Sequence, residues 1–462
     1  MRRLQAMVRN TPAERERYVD LLRALAIVAV ISGHWLMTVI DLSPTGRLGG
    51  HNALQELTGA RVVTWFFQVL PIFFLVGGYA NAASLTARVG RGGGAVDWLI
   101  ERSGRLLRPT SAFLAATVVI ALVARAAGGD PHEIRQVIWF ITVPLWFLGP
   151  YLLVVLLTPP MFALHRRAGP AVPLVLVGLV ALGDAGRLTG PAWLGYGNFL
   201  FGWLLPHQVG FAWRTGGLRI RAGAAAALAV GGLAALILLT VPGPYPISMI
   251  NLPGQRIQNM SPPSVALLSL ATAQLGLILL LRGPAERMLR RTGPWTVVVA
   301  LNSVVLTIFL WHLTALILAG GALDALGVLP TQPAGSTGWW LWRLPWLAVL
   351  TFFLVPLVLV FGPVEARAGR RRAGGTSGDA TPGGDARARP GRAGVRGWVA
   401  VGCYLAVIAG LVANSRAPRS GPEPLGIPTG ALAAYLVGAG GLRLLRAGVP
   451  SVKKGPLLYK KR

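Results

Sequence analysis

Arg23 and His34 stand eleven positions apart in the run Arg17-Tyr-Val-Asp20-Leu-Leu-Arg23-Ala-Leu-Ala-Ile-Val-Ala-Val-Ile-Ser-Gly-His34-Trp35, within the first long apolar segment. At about 100° per residue, eleven positions make three helical turns plus about 20°. A helix therefore shows both groups on one face, roughly 16 Å apart along its axis. Ionisable side chains at membrane depth are costly and normally face a bundle interior or a wet cavity. An imidazole there has the chemistry of a general base, because its ordinary pKa of about 6.5 lies near working pH. Two plainer readings compete. Arg23 can snorkel while paired with Asp20 at i, i+3, and His34 can simply hydrogen-bond a neighbouring helix.

A second group is Glu101-Arg102-Ser-Gly-Arg105-Leu-Leu-Arg108-Pro109. Three arginines at i, i+3, i+6 run partly round a helix, and their forked guanidinium groups suit a phosphate-rich ligand. The competing explanation is membrane topology, which accounts for any one of them but not for their regular spacing. His312, in Ile308-Phe-Leu-Trp311-His312-Leu, reads more readily as a packed, hydrogen-bonded core residue. No HExxH, paired CxxC, GxSxG or GxxxxGK[ST] occurs, so metalloprotease, zinc-finger, serine-hydrolase and P-loop chemistry lack their motifs.

The elements that must position these residues are set by hydropathy. Of 462 residues 53% are apolar and 13% charged, with Lys+Arg 44 against Asp+Glu 16 and a formal charge of +28. Apolar runs recur from end to end, which excludes both a disordered chain and a soluble globule. Twelve spans are expected, at about 18–40, 62–87, 109–127, 138–164, 171–185, 193–213, 221–241, 262–282, 295–320, 340–362, 397–414 and 430–447. With the basic N-terminus inside, the connections alternate in charge. Arg88 to Arg108, Arg166 and Arg167, Arg214 to Arg221 and Arg287 to Arg291 fall inside, and the outer connections are poor in arginine. The basic excess thus reads as topology rather than a nucleic-acid footprint. The single cysteine, Cys403, excludes an internal disulfide and a thiolate metal cage. The connection from Pro242 to Pro263 is either a folded cap or a stiff connector.

The ordered motifs resemble the acyltransferase-3 family of membrane-bound enzymes. Arg23 to His34 is similar to its Arg-x10-His motif, in the context Asp20-Leu-Leu-Arg23-Ala-Leu-Ala. Phe73-Phe74-Leu-Val-Gly77-Gly78-Tyr79 resembles its second-helix motif, with Gly77 where serine is usual, and Arg102-x-x-Arg105 its Arg-x-x-Arg motif. Trp146-Phe-Leu and Leu310-Trp311-His312 resemble two further family signatures. The resemblance covers about residues 14–362 and implies an all-α polytopic transmembrane bundle of about ten core helices.

On that basis the chain divides into a basic cytoplasmic tail (1–17), the acyltransferase core (18–362), a flexible basic linker (363–396), an additional transmembrane hairpin (397–447) and a basic tail (448–462). The resemblance implies transfer of a short acyl group from cytoplasmic acyl-CoA, acetyl-CoA first, to a hydroxyl of a carbohydrate, glycolipid or small-molecule acceptor. It assigns His34, Arg23 and Asp20 to catalysis and Arg102, Arg105 and Arg108 to the donor, with no metal. Membrane lipids are expected partners and nucleic acid is not. Gly, Ala and Arg enrichment points to a bacterial plasma membrane, with both termini cytoplasmic. The rival class is a multi-span transporter of a lipid-linked or anionic substrate, since intramembrane Arg and His also line transport paths.

Overall fold

Apolar stretches of this length satisfy their backbone groups in lipid only by coiling, so the chain is built of helices. A computed structural model describes residues 2–12, 15–42, 48–368, 390–419, 421 and 423–447. The arginine run 370–372 and the basic tail 448–462 lie outside the described residues. The helices are α1 (Arg2–Arg9), α2 (Arg17–Met37), α3 (Thr64–Phe67), α4 (Leu70–Val89), α5 (Ala95–Ala126), α6 (Pro131–Thr142), α7 (Leu145–Ala168) and α8 (Ala171–Thr189). They continue as α9 (Asn198–Thr215), α10 (Ala222–Thr240), α11 (Val265–Leu289), α12 (Thr292–Ser303), α13 (Val305–Ala325), α14 (Thr337–Ala368), α15 (Pro390–Arg416) and α16 (Thr429–Ala447). One antiparallel hairpin, β1 (Thr38–Leu42) with β2 (Leu48–Asn52), follows α2 and pairs Thr38 with Asn52 and Leu42 with Leu48. The all-α polytopic bundle is the observed fold.

Among the described residues, ten helices are long and apolar enough to cross a membrane. Two of the twelve expected spans are not among them. The stretches at 193–213 and 430–447 do form helices, α9 and α16, but polar residues dilute them: Asn198, His207, Gln208 and Arg214 in α9, Arg443 and Arg446 in α16. Buried residues of α9 point in every direction round its axis, among them Trp203, His207, Gln208, Phe211 and Trp213. A helix enclosed in this way need not be apolar.

The contacts divide the chain into two compact units. The first comprises Met1–Tyr79 and Phe162–Gly362. Its core gathers Tyr18, Val19 and Leu22 of α2, Leu75 and Val76 of α4, Trp213 of α9 and Trp295, Val298 and Val299 of α12. Helix α9 meets α4 closely. A Cβ on Gly78 would collide with the His207 carbonyl, and one on Gly210 with the Leu75 carbonyl. Phe74 stacks on Trp203 at 4.7 Å between centroids. The Phe-Phe-Leu-Val-Gly-Gly-Tyr motif is therefore, at Phe74 and Gly78, a helix-packing surface.

The connection from Pro242 to Pro263 is a folded segment. Its anchor is the buried Asp184 of α8, whose carboxylate accepts from the Tyr245 hydroxyl (2.8 Å), the Val265 amide (2.7 Å) and Asn198 Nδ2 (2.9 Å) and pairs with Arg187 (2.7 Å). Burial and the neighbouring Asp184 charge push the Tyr245 hydroxyl's pKa up. Gln68, at the break between α3 and α4, donates to the Met249 carbonyl (2.6 Å) and so ties the segment down at its other side.

The second unit comprises Ala80–Met161 and Pro363–Arg462. Here the hairpin α15–α16 packs along α5. Tyr404 donates to the Leu99 carbonyl at 2.8 Å, and Tyr435 shares a 2.9 Å hydrogen bond with Ser111. The buried Arg135 of α6 donates to the Gly426 and Pro418 carbonyls, 2.8 Å each, and holds the turn between α15 and α16.

Candidate active site

Helix α2 is continuous from Arg17 to Met37, so the eleven-residue spacing from Arg23 to His34 keeps its roughly 16 Å axial rise. The side on which that stripe lies follows from burial. Leu25 and Val28 are 55% and 48% exposed, and they sit about 180° and 120° from His34 on the helical wheel. Ile27, about 20° from His34, is 1% exposed. The stripe thus belongs to the packed side of α2, and His34 nevertheless keeps an exposed imidazole there.

The ninth expected span, 295–320, is not one helix. It breaks at Val304 (φ −137°, ψ 21°) into α12 and α13. Side chains next to the break take carbonyls of α12's last turns: Asn302 Nδ2 donates to Val298 O at 2.9 Å and the Ser303 hydroxyl to Ala300 O at 2.7 Å. Two β-branched valines follow, which weakens helix continuation further.

Each piece of the broken helix serves one end of α2. Asn302 of α12 receives Arg23 Nη1 at 3.4 Å and donates to the Asp20 carbonyl at 2.8 Å. Asp20 itself pairs with Arg23 (3.3 Å) and with Arg15 (2.6 Å). Asp20 therefore orients Arg23 as a carboxylate shared between two guanidinium groups. Both lie three or more turns from His34, so the structure groups them with Asn302 and not with the imidazole.

His312 of α13 meets His34. His34 Nδ1 and His312 Nε2 are 2.8 Å apart, and the two rings are within 7° of parallel. His312 Nδ1 lies 2.6 Å from the Phe309 carbonyl oxygen. A carbonyl only accepts, so His312 carries its proton on Nδ1 and, when neutral, presents a bare Nε2. His34 must then donate through Nδ1–H, which leaves the lone pair of neutral His34 on Nε2. One fully buried histidine thus sets the tautomer of an exposed one. This is the arrangement a general base needs: a fixed basic nitrogen and a partner able to stabilise the cation formed when it takes a proton.

The last turn of α2 is held in place from α13 and α14. Trp35 Nε1 donates to the His312 carbonyl at 3.0 Å, and Trp346 Nε1 to the Trp35 carbonyl at 3.2 Å. Arg343, buried and with its guanidinium 4.1 Å above the Trp339 ring, donates to the carbonyls of Leu36 (3.3 Å) and Thr38 (3.2 Å). Cationic donors at a helix C-terminus satisfy free carbonyls and complement the macrodipole.

The second unit holds the arginine ladder on α5. Arg102 Nη2 donates to the Tyr151 hydroxyl at 3.3 Å, and Phe147 of the Trp146-Phe-Leu motif stacks on Tyr151 at 5.8 Å. Arg105 is exposed and Arg102 and Arg108 are half-buried. Asp97 and Glu101 pair with Arg88 at 3.5 and 2.8 Å, and Asp97 also with Arg396 at 2.9 Å.

The residues that sequence reasoning left aside are His312 in its paired role, Asn302 and Arg343. Only the likeness of Leu310-Trp311-His312 to a family signature singled out the first. A family model described as an acyltransferase domain matches residues 16–362. The chain matches no curated protein and no solved structure.

Proposed function

Because the chain belongs to the acyltransferase-3 family and is an acyl-transferring enzyme, we propose that His34 Nε2 is the base that drives transfer of a short acyl group from acyl-CoA to an acceptor hydroxyl. The imidazole takes the hydroxyl proton as the oxygen attacks the thioester carbonyl. The C–S bond then breaks, and the departing thiolate takes the proton back from His34. His312 receives the Nδ1–H of His34 throughout and stabilises the transient imidazolium. The same lone pair could instead carry the acyl group, and acid-quenched single turnovers would separate the two routes.

The observation that carries this reading is the hydrogen-bond chain from the Phe309 carbonyl through His312 to His34, which leaves Nε2 of His34 as the basic nitrogen. The forked donors of Arg102, Arg105 and Arg108 are assigned to the donor's phosphates by the chemistry of guanidinium and phosphate. The acceptor class is a carbohydrate, glycolipid or small alcohol. The protein is integral to a bacterial plasma membrane with both termini cytoplasmic, as its alternating loop charge favours. Family membership favours this reading over a transporter.

The test is incorporation of label from radiolabelled acetyl-CoA into cell-envelope glycans and lipids of membranes carrying the protein. His34→Ala should lower it by about 10²–10⁴-fold while the protein inserts normally. Undiminished transfer by that variant would refute the assignment.

A further inference from the structure

We infer that Arg343 anchors an oxyanion, a phosphate or carboxylate group, at the end of α2 beyond His34. A charged side chain within a membrane span normally pairs with another charge or lines a polar path, and Arg343 lies in the apolar span Thr337–Arg367. The other buried arginines among the described residues have a carboxylate to answer them. Arg88 pairs with Asp97 and Glu101, Arg187 pairs with Asp184, and the charge of Glu423 acts on Arg135. Arg343 is 8% exposed, and among the described residues no charged side chain is near enough to act on it.

Its hydrogen bonds all go to neutral carbonyls: Nε to Trp339 (3.3 Å), and Nη1 to Leu36 (3.3 Å) and Thr38 (3.2 Å). The carbonyls at a helix C-terminus amount to about half a negative charge, so about half of the guanidinium's charge stays unbalanced. One nitrogen is also spare. Nη2 makes no hydrogen bond with the described residues, and unlike Nε of Arg88, Arg135 and Arg187 it is not sealed from its surroundings. Trp339, whose ring lies 4.1 Å beneath the guanidinium, has an indole Nε1 that likewise lacks an acceptor. Both unmet groups are donors. An oxyanion answers such a donor with a charge-assisted hydrogen bond, roughly twice as strong as a neutral one.

The position gives an anion held there a use. Thr38 follows His34 by four residues, about 6 Å of helical rise, and its hydroxyl donates to the His34 carbonyl at 2.7 Å. Arg343 therefore grips α2 about one turn past His34, at the end opposite Asp20 and Arg23. The oxyanion is carried either by the acceptor or by a phospholipid head group. The acceptor alternative rests on the function proposed above, and it makes the acceptor an anionic alcohol.

The full-length protein, in maltoside micelles stripped of phospholipid, is titrated with glycerol 1-phosphate by thermal shift, with glycerol as the uncharged control. In parallel, phospholipid retained from nanodiscs is read by native mass spectrometry. Glycerol 1-phosphate should stabilise the parent saturably and glycerol should not. Arg343→Gln, which keeps an amide donor and drops the charge, should weaken that binding roughly tenfold, and Arg343→Lys should lose much less.

If Arg343→Gln weakens glycerol 1-phosphate binding and retains phospholipid as the parent does, the inference holds with the acceptor as source. If it sheds phospholipid instead, the inference holds with a lipid phosphate as the anion. If both readouts stay within twofold of the parent, the inference is overturned, whatever acyl transfer shows. Binding that depends on Arg343 in a protein without His34-dependent transfer keeps the inference and sinks the enzymatic reading. Should Arg343→Gln not fold, the parent is photolabelled with 4-azidophenyl phosphate. Adducts on residues 36–40 or 337–346 that glycerol 1-phosphate competes away support the inference, and adducts confined to other segments overturn it.

Discussion

Replacing His312 by alanine removes the acceptor for His34 Nδ1–H and little else that holds the fold. The Phe309 carbonyl keeps its place in the helical ladder of α13, and the His312 carbonyl still receives Trp35. Two effects follow for His34. Its tautomer is no longer fixed, so part of the population carries the proton on Nε2 and cannot act as base there. The imidazolium also loses a charge-assisted hydrogen bond now 2.8 Å long. Hydrogen bonds to charged groups contribute about 1.5–3 kcal/mol, and about 1.4 kcal/mol is tenfold in rate. The expected loss in kcat is therefore roughly 10- to 100-fold, with little change in KM for the donor, because the interaction strengthens only as charge develops. His312→Gln provides the matched control, since its Oε1 falls close to the place of the lost Nε2 and accepts from the same N–H. The assay is initial-rate transfer of radiolabel from acetyl-CoA in membranes matched for protein content. Alanine activity within twofold of the parent, or glutamine no better than alanine, would refute the proposed tautomer control.

Other consequences can be measured on the purified protein. Arg343→Met strips the Leu36 and Thr38 carbonyls of their donor and should cost about 1.5–3 kcal/mol, seen as a lower melting temperature in detergent. Asp184→Asn leaves the buried Arg187 without its anion, a change that costs about 3–5 kcal/mol in buried pairs, and should expose residues 242–264 to limited proteolysis. Burial, followed by the hydrogen bond with Glu286, raises the Glu16 carboxyl above its ordinary range against the pull of Arg282. A raised carboxyl holds its proton more tightly folded than unfolded, so its contribution to stability is present at acid pH and is lost as pH climbs through the folded value. Glu16→Gln should flatten that decline, matching the parent's melting temperature in acid and exceeding it at neutral pH.

The stripe of Arg23 and His34 was legible because both lie on one uninterrupted helix, where spacing alone sets direction. Their partners were not. His312 and Asn302 sit 278 and 279 residues from His34 and Arg23, and hydropathy reads 295–320 as one rod because the break at Val304 involves neither glycine nor proline. The Phe-Phe-Leu-Val-Gly-Gly-Tyr motif pointed to the right place, yet packing against α9 is what Phe74 and Gly78 are seen to do. Counting α9 and α16 as spans followed from apolar runs, whereas the structure distinguishes lipid-facing helices from an enclosed one by the polar residues each can tolerate. The hairpin's attachment to α5 rests on Tyr404, Tyr435 and Arg446, whose partners are more than 300 residues away.

The enclosure of α9 also bears on how the protein is made. A segment bearing Asn198, His207, Gln208 and Arg214 gains too little from hydrocarbon to leave the translocon alone. It needs the glycine-lined groove of α4, synthesised earlier, to receive it. Substituting Gly78 or Gly210 by a bulkier residue would then act first during biogenesis, as a chain stalled with one helix unplaced, before any effect on a finished enzyme.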